Sequence, residues 1–158
     1  MYAESLVCGV AFVLSMLLLL PSSSFADIVS KGSSNDSNNQ KDADSSLKEA
    51  AAASKSWLDL VDNNNYGKSW EEASALMKLT IHEDEWIALL NKTRKPLGRV
   101  ISRQVLDQRT AKNPHGLPQG SYMVMFYKTE FTNKPSAYEL VTLFLEDGEW
   151  RVITYQVD

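Results

Sequence analysis

The 158-residue chain carries 16 basic and 20 acidic residues, a net charge of −4. That mild acidity excludes a general affinity for nucleic acid or for anionic membrane surfaces. The single cysteine, Cys8, excludes an intramolecular disulfide and a thiolate metal cluster.

Leu6–Leu20 is uncharged and ends in an unbroken leucine run, Leu17–Leu20, which Pro21 interrupts. Ser24-Phe25-Ala26 then places small residues where a signal peptidase reads them. The run is shorter than the roughly 20 residues of a membrane-spanning helix. Residues 1–26 are therefore read as a signal peptide cleaved after Ala26, with a periplasmic or secreted product. The segment before Leu6 lacks Lys and Arg, so the competing reading is an inner-membrane anchor. Cys8 follows Ser5-Leu6-Val7 without the small residue that precedes a lipidated cysteine, and cleavage removes it. Residues 27–46, rich in Ser, Asn, Asp and Lys, bury too little apolar surface to offset chain entropy and read as a disordered linker.

The folded domain is expected over residues 47–158, enough for one core. Ser46-Leu47-Lys48-Glu49 has the pattern of a capping box. Leu47, Ala50, Ala51, Ser54, Leu58 and Val61 follow at helical spacing, with Trp57 beside them. Asn63-Asn64-Asn65-Tyr66-Gly67 stops that helix. Ser69-Trp70-Glu71-Glu72 predicts a second helix burying Trp70, Ala73 and Met77. Thr80-Ile81-His82-Glu83 predicts a third, running through Trp86, Leu89 and Leu90 to Thr93. Lys92, Arg94 and Lys95 suit its C-terminus, and Pro96 ends it.

After Gly98 the apolar period changes to two. Strands are expected at 99–107, 120–132, 137–146 and 149–157, with a loop at 108–119 and a turn at Asn133-Lys134-Pro135. Asp147-Gly148 is a two-residue hairpin signal. Pairing across it sets Leu145 opposite Trp150, Leu143 opposite Val152 and Val141 opposite Thr154, all on the core face. The fold class is α+β: three N-terminal helices packed on a curved four-stranded antiparallel meander. By element order this resembles the cone-shaped fold of nuclear transport factor 2 and ketosteroid isomerase.

Ser69-Trp70, Trp86, Arg94-Lys95-Pro96-Leu97-Gly98, Arg103, Ala137-Tyr138-Glu139-Leu140-Val141-Thr142-Leu143 and Asp147-Gly148-Glu149-Trp150-Arg151-Val152 together resemble a bacterial domain-of-unknown-function family, numbered 4019. The resemblance spans roughly residues 50–157. It implies bacterial export and one small domain, and it supplies no catalytic residues.

In the expected register Glu139 and Gln156 share the core face far from the hairpin turn, with Lys128 opposite Glu139. A carboxylate on an apolar face must be paired or perturbed. Glu139, Gln156, Lys128 and Arg103 therefore form a candidate pocket, Arg103 lying mid-strand within reach of Glu139. The bland alternative is a salt bridge open to water at the sheet end. Arg94 and Arg99 are candidate anion ligands, set against simple complementation of the helix dipole. His82 and His115 lack the spaced partners of a metal site, so no metal or cofactor is expected. Trp57, Trp70, Trp86 and Trp150 read as core. No nucleophile elbow, phosphate loop or dinucleotide fingerprint is present.

The leading expectation is an exported, non-catalytic module that binds a small ligand or an envelope protein. The alternative is a small isomerase- or dehydratase-like enzyme using Glu139 with Arg103 or Lys128. A further expectation is a homodimer through the outer sheet face, carrying Phe144, Ile153 and Tyr155.

Overall fold

The computed structural model describes residues 36–158. The signal, its cleavage site and the first part of the expected linker lie outside the described residues. By its contacts the chain divides into Met1–Asp44 and Ser45–Asp158, and the second unit holds the fold set out below.

Helix α1 spans Asp36–Asp62. The chain is thus helical well before the Ser46 box, which lies inside the helix and caps nothing. Ser45 Oγ instead donates to Glu49 Oε1, one turn on. The alanine run after Glu49 favours helix strongly, and Ala50, Ser54, Trp57, Leu58 and Val61 form its buried stripe. Asn64 ends it in a left-handed conformation with φ 60°, which Asn tolerates better than most residues.

The expected second helix is two short ones, α2 at Tyr66–Glu71 and α3 at Ala75–Lys78. Ser69 is not a cap. It lies buried within α2, its Oγ donating to the Tyr66 carbonyl. Ser74 does cap, its Oγ accepting from the Leu76 amide at 3.1 Å. Helix α4 spans Glu83–Thr93 from an N-cap at His82, whose amide donates to Glu85 Oε2. The capping residues therefore fall two positions after the expected Thr80 start. A 3-10 turn at Lys95–Leu97 follows, with Pro96 inside it.

The sheet has four antiparallel strands in the order β1-β2-β3-β4, namely Val100–Lys112, Ser121–Phe131, Lys134–Glu146 and Glu149–Val157. Strand β1 runs past the expected end at Asp107 to pair Lys112 with Ser121. It is an edge strand, and Ile101, Val105 and Leu106 are exposed rather than core. The β2–β3 turn is the tight Thr132-Asn133, because Phe131 pairs with Lys134. A bulge between Thr129 and Phe131 then shifts the ladder by one residue, and Tyr127, not Lys128, stands opposite Glu139.

Across Asp147-Gly148 the expected pairs Leu145–Trp150 and Leu143–Val152 form. The ladder then slips between Thr142 and Leu143, where Ile153 is an extra residue on β4. Beyond this bulge Tyr155, not Thr154, stands opposite Val141. A bulge of one residue exchanges the two faces of everything after it. Tyr155 therefore joins the core, and Gln156 pairs with Leu140 instead of sharing the face of Glu139. Helix residues Trp57, Leu58, Val61 and Trp86 pack with Met123, Met125, Val141, Leu143 and Val152 in that core.

Candidate functional site

Four charged side chains from different elements meet where the end of α1 reaches the sheet. Arg103 on β1 grips two carboxylates. Its Nη1 and Nη2 donate to Asp62 Oδ2 and Oδ1 at 2.7 and 2.9 Å. Its Nε and Nη2 donate to Glu139 Oε2 and Oε1 at 2.7 and 3.1 Å. Arg94, at the C-cap of α4, donates through Nη2 to Asp62 Oδ1 and through Nη1 to the Gly98 carbonyl. Its guanidinium stacks over Phe131, 4.3 Å from the ring centroid. Two cations and two anions thus cancel.

The side chain of Glu139 has no exposed area, and Asp62 and Arg103 retain only 18% and 14%. Besides Arg103, Glu139 accepts from Thr129 Oγ1 and from the Tyr155 hydroxyl at 2.6 Å. Each of its oxygens therefore has two donors, which fills the acceptor capacity of a carboxylate. The pair is not open to water, as the bland reading supposed. Neither is it free chemistry: a general base needs an open acceptor position on its oxygen.

The tyrosines record this environment. Burial raises the Tyr155 pKa well above its ordinary value, and the neighbouring Glu139 charge and hydrogen bond push it the same way. Burial likewise raises Tyr127, whose hydroxyl shares a hydrogen bond with Ser54, while Arg103 opposes the shift. Burial disfavours the Arg103 cation, but the hydrogen bonds and charges of Asp62 and Glu139 outweigh it and raise its pKa.

The other expected site residues stand apart. Lys128 is exposed and pairs across the sheet with Tyr138, so it does not face Glu139. Arg99 is exposed, and its amide donates to the Thr132 hydroxyl oxygen. Gln156 lines a cleft of about 260 Å³ with Leu89, Leu90, Thr93, Tyr155 and Val157. Sequence reasoning missed Asp62, Thr129 and Tyr155. A usable signal for Asp62 was its place directly after the core residue Val61, where an acid at a helix end faces the arginine-rich segment.

A second polar place lies toward the β3–β4 hairpin. A cleft of about 370 Å³ is lined by Ala53, Ser56 and Trp57 of α1, by Glu72, and by Glu149, Trp150, Arg151 and Val152 of β4. Glu139 lines neither cleft. The indole nitrogens differ here. Trp57 Nε1 donates to the Ser69 carbonyl, Trp86 Nε1 to Ser69 Oγ, and Trp70 Nε1 to the Ile81 carbonyl. Trp150 Nε1 is shut from solvent and has no partner among the described residues.

Among the described residues no His, Cys, Asp and Glu cluster is placed to hold a metal ion, and no helix is long and apolar enough to cross a membrane. A family model described as "Protein of unknown function (DUF4019)" matches residues 53–155, and the chain belongs to that family. All members of the charged cluster fall inside the matched span. No curated protein matches the chain.

Proposed function

We propose that this chain is an exported, non-catalytic module that binds a small ligand in the cleft between α1 and the start of β4. The observation that carries the reading is the cleft itself, walled by Ala53, Trp57, Trp150 and Val152, set against a Glu139 that four donors saturate and that lines no cleft. A cleft of about 370 Å³ is of the size that takes small organic ligands. The element order supports a likeness to the cone-shaped fold of nuclear transport factor 2. Export rests on the apolar run and small-residue cleavage site at residues 1–26, with a mature chain starting at Asp27.

A thermal-shift screen of small metabolites tests the site. A compound that raises the melting temperature of the wild-type chain is expected to lose its effect in Ala53→Trp, which fills the cleft. Equal stabilisation of both proteins, or no stabilising compound at all, overturns the assignment. Mass measurement of the protein from an extracytoplasmic fraction tests export, and a chain retaining residues 1–26 overturns it.

A further inference from the structure

The two edges of the sheet are finished differently. Along β4 the chain covers its own edge, the Ser74 amide donating to the Val152 carbonyl at 2.9 Å just ahead of α3. Along β1, from Val100 to Lys112, only β2 pairs with the strand among the described residues. Ile101, Val105 and Leu106 on that strand are each more than half exposed. Ile101 and Leu106 are also the residues left over at its two register shifts against β2. An open edge bearing apolar side chains is a template for another strand.

The charges on this edge decide which strand fits. Asp107 and Arg109 stand opposite Phe126 and Val124, so they share the outer face. Arg109 Nε donates to Asp107 Oδ2 at 2.8 Å, and the Gln108 amide donates to Asp107 Oδ1. Each carboxylate oxygen thus has one donor and room for a second. A second copy of β1, laid antiparallel about a two-fold axis at Gln108, sets its Arg109 against Asp107 and its Asp107 against Arg109. Each carboxylate then lies between two guanidiniums. The pair within the chain is kept, and a network of four charges is built on it, which stabilises where an isolated surface pair contributes little. Moving the axis one residue either way opposes Asp107 to Asp107 or Arg109 to Arg109, which is repulsive. The register centred on Gln108 also brings the exposed Leu106 opposite Thr110. Strands without this alternation of charge are turned away by it. We infer that β1 is a self-association edge: two copies of the chain join antiparallel through Leu106–Thr110 into one continuous sheet.

The joining ladder is short against a standard protein interface, so a weak dimer with a dissociation constant of about 100 μM is expected. Sedimentation equilibrium of the purified chain, from about 5 μM to about 1 mM, measures it. Arg109→Asp and Asp107→Arg should each weaken association about tenfold, because each replaces attraction by repulsion on both sides of the axis. The double exchange Asp107→Arg/Arg109→Asp should restore it. Leu106→Lys, which charges the edge, should also weaken it. Tyr138→Lys, exposed on the outer face of β3 opposite Lys128, should change nothing. A chain that stays monomeric throughout overturns the inference. So does a dimer that survives both single exchanges, a loss that the double exchange fails to repair, or a dimer that Tyr138→Lys abolishes instead.

Discussion

The two ends of β4 present opposite solutions to the placing of polar groups in a small core. Near Tyr155, charges are abundant and every oxygen of Glu139 is occupied. Near Trp150, a single neutral donor is buried and unmatched beside an open cleft. The charged end attracts notice first, since buried carboxylates and raised pKa values often mark active sites. The saturation of Glu139 argues for an internal fastening between α1, α4 and the sheet, in which only Arg94 Nε is left unmatched. The quieter end is the better pointer to a partner outside the chain.

Substitutions can break or sharpen that contrast. The largest effect is expected from Arg103→Met, which leaves Glu139 buried without its cation and Asp62 with Arg94 alone. Loss of a partner from a buried ion pair costs about 3–5 kcal/mol, measurable by urea denaturation. A cost below about 1 kcal/mol would show that the cluster fastens nothing. Adding Glu139→Leu should recover part of the loss, because the uncompensated charge is removed. A double variant weaker than the single one would contradict this.

The next contrast is between tryptophans. Trp57→Phe loses the bond to the Ser69 carbonyl along with packing, for about 2–3 kcal/mol, whereas Trp150→Phe removes a donor that had no partner and should cost less than about 1 kcal/mol. Equal losses would remove the distinction drawn between the two indoles.

Tyr155→Phe takes one of four donors from Glu139 and should cost about 1–2 kcal/mol near neutral pH. It also alters the alkaline limb. A folded-state pKa raised above the ordinary 10.0 gives stability that is full below that pH and is lost as pH rises toward the folded value. Wild type should therefore weaken between about pH 9 and pH 11 more steeply than Tyr155→Phe. Parallel declines in denaturation midpoint would exclude Tyr155 as a contributor.

Much of the architecture is written in local pattern. The helical stripe Ala50, Ser54, Trp57, Leu58 and Val61 is buried as its spacing implies, and Asp147-Gly148 sets the first pairs of the last hairpin. What the pattern conceals is register. Thr132-Asn133 turns in two residues where Asn133-Lys134-Pro135 suggested three, and a bulge between Thr129 and Phe131 shifts the ladder again, which together put Tyr127 opposite Glu139 and turn Lys128 outward. Residues 108–112 lack alternation because an edge strand has little core to face, yet pairing with β2 keeps them extended. The contact of Arg103 with Glu139 was readable as a need of both residues. Asp62 was not, since its role depends on where α1 stops relative to a strand some forty residues later.

The extra residue Ile153 makes the inward place of Tyr155 a matter of pairing rather than of count. Deleting Ile153 would close the bulge and leave Thr154 opposite Thr142, Tyr155 opposite Val141 and Val157 opposite Glu139. Glu139 would keep its phenol, and β4 would become a regular strand. Deleting a residue beyond the bulge instead would shift Tyr155 by one place and turn it to the outer face. In this fold the length of β4 is tolerant at residue 153 and exacting just after it.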